Sequence, residues 1–137
     1  MSAKSDANKK VLGAEASKRA ALAKNLVIDA AGKTLGRVAS EAARALMGKT
    51  HASYTPHLRS QVRVEITNAS KIYLREKKRL QKTYTRYSGY PGGLKHESLA
   101  SLRARSGMAA PLRVAIKGML PRNTMLVSRL KNLSITE

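Results

Sequence analysis

The order of apolar patterns along this chain predicts an α/β domain built on a mainly parallel sheet, preceded by a basic N-terminal tail. Three observations carry that expectation. A continuous apolar run, Leu26-Val27-Ile28, is followed at once by apolar residues at helical spacing; a second run alternates apolar and polar residues; and the C-terminal third returns to helical spacing before a last short apolar segment. Strands separated by helices need crossover connections, which favour parallel pairing. With 137 residues the chain suits one domain.

Residues 1–24 hold six Lys or Arg and two acids, with Val11, Leu12 and Leu22 the main apolar anchors. These are too few for a core, so the segment reads as a basic tail and the domain, 25–137, begins near Asn25. The tail's Ala/Lys/Ser composition resembles a transit peptide, but Asp6 and Glu15 interrupt it and Arg19 is its sole arginine. A secretory signal is not expected.

Leu26 to Asp29 reads as a buried strand closed by Ala30-Ala31-Gly32. Leu35, Val38, Ala39, Ala42, Ala43 and Leu46 then mark one helix face, with Thr34 as N-cap and Gly48 as C-terminal stop. Val62, Val64 and Ile66 alternate with Arg63, Glu65 and Thr67 as a half-exposed strand ended by Asn68-Ala69. A short strand is expected at 71–74, and Thr83 to Tyr87 reads as a strand or extended arm leading into the Gly/Pro tract Gly89 to Gly93. Leu99, Leu102 and Ala104 suggest a weak helix. Leu112 to Leu120 gives a second, opened by Pro111 and closed by Pro121. Met125 to Leu130 forms a short last helix and Leu133 to Thr136 a terminal strand.

Charge narrows function more than pattern does. Against 27 Lys and Arg stand 8 Asp and Glu, a net charge of +19. Self-repulsion on that scale favours a polyanionic partner, and nucleic acid gains affinity from every counterion its phosphates release. A membrane surface is the weaker alternative, because no run approaches the length of a spanning helix. The absence of cysteine excludes disulfides and thiolate metal sites.

No catalytic constellation stands out. Gly32-Lys33-Thr34 and Gly48-Lys49-Thr50 match the end of a phosphate-binding loop, but the glycine required five positions earlier is replaced by Val27 and Ala43. His51, His57 and His96 have no cysteine partners, and His96-Glu97 lacks a second His at Ala100. No enzyme, cofactor, metal or small-molecule substrate is expected. Gly89-Tyr90-Pro91-Gly92 suits either close RNA approach or a plain surface turn. In Thr34-Leu35-Gly36-Arg37 a cation opposes the dipole of the helix it begins, and a bound phosphate would compensate. Tyr84, Tyr87 and Tyr90 either stack on bases or pack; packing is the expectation for Tyr84, and Tyr90 stays open.

Read in order, Val27-Ile28-Asp29-Ala30, Gly32-Lys33-Thr34-Leu35-Gly36-Arg37, Tyr54-Thr55-Pro56-His57, Asn68-Ala69, Ser88-Gly89-Tyr90-Pro91-Gly92-Gly93-Leu94-Lys95 and Lys117-Gly118-Met119-Leu120-Pro121 resemble the ribosomal protein L-thirteen family of the large subunit, in its bacterial or organellar form. The resemblance runs over residues 25–135. It implies a three-layer α/β/α domain around a four-stranded parallel sheet, large-subunit ribosomal RNA as partner, neighbouring large-subunit proteins beside it, and entry early in ribosome assembly. Departures from the family pattern are Asn25 for the usual Trp, Gln61-Val62 for Gly-Asp, Glu76 for a turn Gly, and Met125-Leu126-Val127 for Leu-Gly-Arg; the chain also lacks the family's C-terminal extension past Glu137.

The resulting expectation is a structural ribosomal protein of the cytoplasmic ribosome, with an organellar ribosome as the lesser alternative. Lys33, Arg37, Lys49, His57, Lys95, Lys117 and Arg122 are the expected RNA contacts, and Gly89, Gly92 and Gly93 permit close approach. The competing reading is a free RNA-binding regulator, which sedimentation away from the large subunit would distinguish.

Overall fold

Short apolar strands and an alanine-rich helix organise the chain around one aliphatic core. The computed structural model describes residues 25–52 and 54–137; the expected basic tail lies outside them. The first strand, β1 (Asn25–Asp29), leads through a tight turn into helix α1 (Leu35–Met47), which returns to β2 (Arg63–Thr67). A single 3-10 turn (Ala69–Lys71) and helix α2 (Glu76–Gln81) then precede the hairpin of β3 (Thr83–Tyr87) and β4 (Leu94–Ser98). Helices α3 (Leu99–Ser106), α4 (Ala109–Met119) and α5 (Leu126–Leu130) lead to β5 (Leu133–Ile135).

The main sheet has the order β1-β2-β5, parallel throughout, with Ile28 opposite Ile66 and Ile66 opposite Ile135. That register places Leu26, Ile28, Val64, Ile66, Leu133 and Ile135 on one face. Onto this face packs α1 through Val38, Ala39, Ala42, Ala43, Ala45 and Leu46, with Leu112 and Ile116 of α4 in the same core. Small alanines let α1 pack closely against α4 over the sheet, so a core without Phe or Trp still closes. The other face, carrying Val27, Arg63, Glu65 and Ser134, is exposed. Among the described residues the sheet is thus covered on one side, so the three-layer arrangement is not seen there.

The expected fourth parallel strand is also absent. After β2, Asn68 turns into the left-handed region (φ 57) and the 3-10 turn takes up Ala69–Lys71, leaving Tyr73 alone to pair. Its amide donates to the Lys33 carbonyl at 3.0 Å, forming one parallel bridge between Thr34 and Tyr73. The main sheet therefore has three strands, and β3–β4 form a separate antiparallel pair. The expected strand at 71–74 is reduced to that bridge.

Helix ends follow the signals in the sequence with two exceptions, the N-cap of α1 and the start of α4. Gly48 stops α1 at φ 83 while its amide reaches the Ala45 carbonyl and that of Lys49 reaches Arg44, the paired bonds that close a helix through a left-handed residue. Thr34 occupies the N-cap position but its side chain makes no cap bond. Pro111 lies in the first turn of α4, which starts two residues earlier than expected, at Ala109. The Glu137 carboxylate caps that helix, accepting from the amides of Met108 (2.7 Å) and Ala109 (3.4 Å). At the ends of β1 and β2, the Asp29 carboxylate accepts from the Ala31 amide (3.1 Å) and Asn68 Nδ2 (3.0 Å). These bonds hold its pKa below the ordinary carboxylate value. The contribution is present above the unfolded pKa and is lost as pH falls through the lower folded one.

One buried group works against the fold. Arg129 on α5 is 2% exposed, and among the described residues its Nε has no hydrogen-bond partner while Nη2 reaches the Met125 sulfur at 3.8 Å. A buried cation without a carboxylate costs stability that an apolar side chain of similar length does not. Arg129→Met is therefore expected to raise the urea midpoint, with a gain of about 1 kcal/mol or more. A lower midpoint would show that the guanidinium is stabilising where it stands.

Candidate nucleic-acid interface

Positive charge is left uncompensated over most of the surface. Among the described residues two ion pairs form, Lys33 with Glu41 (3.4 Å) and Arg105 with Glu97 (3.0 Å), although 21 Lys and Arg lie in that span. The cations expected to contact RNA lie at four places rather than in one cleft.

The first is the start of α1. Arg37 is exposed in its first turn, and Gly36 beside it faces open space. Across a shallow groove lined by Thr34, Leu35, Gly36 and Tyr73 stand Arg75 and Lys78. With no side-chain cap from Thr34, the first-turn amides add to a cationic groove that has no carboxylate in its lining. Lys33 is nearby but shares its charge with Glu41, a surface pair of small energetic weight.

The second is the loop between α1 and β2. Lys49 follows Gly48, with its ammonium 5.9 Å from the centre of the Tyr54 ring, and His57 is exposed in a turn. Gly48 ends a helix where a phosphate loop would have to begin one, in keeping with the failed spacing of its Gly-Lys-Thr triplet. Arg59 fixes this loop to α5 by donating to the Ser128 carbonyl (3.2 Å) and Asn132 Oδ1 (3.3 Å).

The third is the β3–β4 hairpin. Lys95 lies directly opposite Arg86 with no acid between them, and like charges so placed are destabilising without an anion. Gly89 (φ 91) and Gly92 (φ 74) form the connecting turn with nothing close to where a side chain would stand. Gly93 differs, since a Cβ there would collide with the Ser88 hydroxyl. Its role is therefore to let the turn close, its amide donating to the Tyr90 carbonyl at 2.9 Å.

The fourth is the exposed side of α4. Lys117 shares a surface hollow with Arg113 and Lys131, next to Leu126, Val127 and Leu130, and Arg122 is exposed in the turn after the helix. The ten expected residues thus divide among four patches. The structure adds Arg75, Lys78, Arg86, Arg113 and Lys131. Spacing alone could have found one of these: Arg113 stands four residues before Lys117 and so shares a face of one helix with it. The other neighbours depend on which segments the fold brings side by side.

Arg37 separates binding from folding most cleanly. Arg37→Glu is expected to change stability by no more than about 0.5 kcal/mol, since Glu suits a first turn, while weakening RNA binding. Arg37→Gln should lose less binding than Glu. Unchanged RNA affinity in both variants, with the fold intact by circular dichroism, would remove Arg37 from the interface.

Comparison with known proteins identifies the family. The family model described as Ribosomal protein L13 matches residues 23–137. Large ribosomal subunit protein uL13 of Nitrosococcus oceani is 45% identical over 109 residues, covering 80% of this chain and 76% of that protein. Its counterpart in Borrelia turicatae is 48% identical over 109 residues, 80% of this chain and 72% of its own length. That of Trichormus variabilis is 49% identical over 102 residues, 72% of this chain and 65% of its own. An aliphatic α/β core, exposed cations on four surfaces and these matches lead to one conclusion: the chain belongs to the ribosomal protein L13 family.

Proposed function

We propose that this chain is a structural component of the large ribosomal subunit that binds and organises large-subunit ribosomal RNA and has no catalytic role. The observation that carries this reading is the spread of cations over four separate elements, within a family whose relatives are named as large-subunit proteins. An enzyme concentrates its functional groups at one place; a scaffold needs anchors on several sides. Here each patch holds a different stretch of RNA, and the rigid core fixes the distances between them. Lys33, Arg37, Lys49, His57, Lys95, Lys117 and Arg122 contact RNA, and Gly89 and Gly92 let its backbone come near, while Gly93 closes the turn between them and β4. The basic residues 1–24 add further phosphate contacts. Joining distant RNA segments suits entry early in assembly, beside neighbouring large-subunit proteins, and the bacterial relatives support a cytoplasmic ribosome.

Affinity for large-subunit ribosomal RNA should therefore fall steeply with salt. If roughly six to ten phosphates are neutralised, the loss between 50 and 200 mM is about a thousandfold or more, on the scale known for duplex DNA. In cell lysates the chain should sediment with large subunits. A flat salt response, or a chain found chiefly in the light fractions, would overturn the reading.

A further inference from the structure

The β3–β4 hairpin exposes aromatic surface that the core never uses. Its register sets Tyr87 opposite Leu94 and Thr85 opposite His96 on one face, with Arg86 opposite Lys95 on the other. Tyr87 is 62% exposed, Leu94 54%, and Tyr90 at the tip 76%. Tyr84 behaves differently, as packing predicts: it is half-buried, its hydroxyl pKa is raised by that burial, and the Lys82 ammonium lies 5.3 Å from its ring. At its outer end this two-stranded ribbon carries Tyr87 and Leu94 on one face and paired cations on the other, with no core against either. Its tip is suited to a partner that offers flat apolar faces and negative charge together.

Resting on the RNA-binding reading above, we propose that this tip inserts among unpaired nucleotides of the ribosomal RNA. Tyr87 and Tyr90 stack on bases, and Arg86 and Lys95 hold the flanking phosphates. Charge selects RNA over a protein neighbour: the ribbon's one carboxylate, Glu97, is occupied by a two-point contact from Arg105, leaving the tip wholly cationic. The exposed rings select unpaired over duplex RNA, because paired bases hide their faces in the stack. Open space around Gly89 and Gly92 lets a nucleotide lie against the turn.

The test measures affinity of the full chain for protein-free bacterial large-subunit ribosomal RNA across a salt series. Tyr87→Leu and Tyr90→Leu should each weaken binding by roughly tenfold at every salt concentration, leaving the salt slope unchanged; Tyr87→Phe and Tyr90→Phe should bind as the parent does. Arg86→Gln with Lys95→Gln should instead make the slope shallower. Tyr90 packs on nothing in the core, so its Leu variant remains informative even where Tyr87→Leu disturbs the hairpin. If both Leu variants bind RNA like the parent, stacking is wrong, and a defect seen only in assembled particles would assign the patch to a protein neighbour. Failure of the parent itself to bind RNA would instead overturn the broader reading.

Discussion

Repulsion among cations that the fold does not neutralise is the constraint on which the rest of this structure depends. A net charge of +19 spread over one small domain opposes compaction, and two ion pairs among the described residues offset little of it. Folding must rest on the core, and the charge must be matched from outside. The surface features follow from that division. Arg86 faces Lys95, Arg75 and Lys78 face Arg37, and Lys117 lies beside Arg113 and Lys131, arrangements that cost stability in the free chain.

The core carries this load with modest means. Alanines along α1 let it pack closely on α4, whose Leu112 and Ile116 complete the apolar layer. Long-range polar ties close the ends: Asp29 with Asn68 across two strand ends, Glu137 on the first amides around α4, and Arg59 on α5. Each joins segments distant in sequence, which keeps the patches at set separations. Rigidity of this kind is what lets a small protein hold RNA in one arrangement.

How much of this was legible in the sequence varied with the physics behind each element. Helix α1 and strand β2 were readable because their apolar periodicity is strong and the Gly48 stop is local chemistry; the apolar run of β1 placed a strand, but the burial expected of it holds for Ile28 alone, since one face of the sheet is open. Helix α2 was missed: its Glu-Lys-Lys-Arg-Leu-Gln sequence favours helix but buries no residue, so no periodicity marks it. Strand β4 was missed because Leu94–Ser98 has no alternation, and only pairing across the Gly89–Gly93 turn makes it a strand. The four-stranded sheet came from the family resemblance, and the turn after Asn68 leaves three strands here. For the interface, cations were visible but their neighbours were not. Arg75 is far from Arg37 in sequence, and only the Thr34–Tyr73 bridge brings the two segments together.

Thermal unfolding of the free chain as a function of salt tests the central claim most directly. If unmatched positive charge limits the free fold, raising sodium chloride from about 50 to 500 mM should screen the repulsion and raise Tm, even as it weakens RNA binding. Stability and affinity would then move in opposite directions with salt. A Tm that falls or stays level over that range would contradict the account, showing that the cations are already neutralised within the fold.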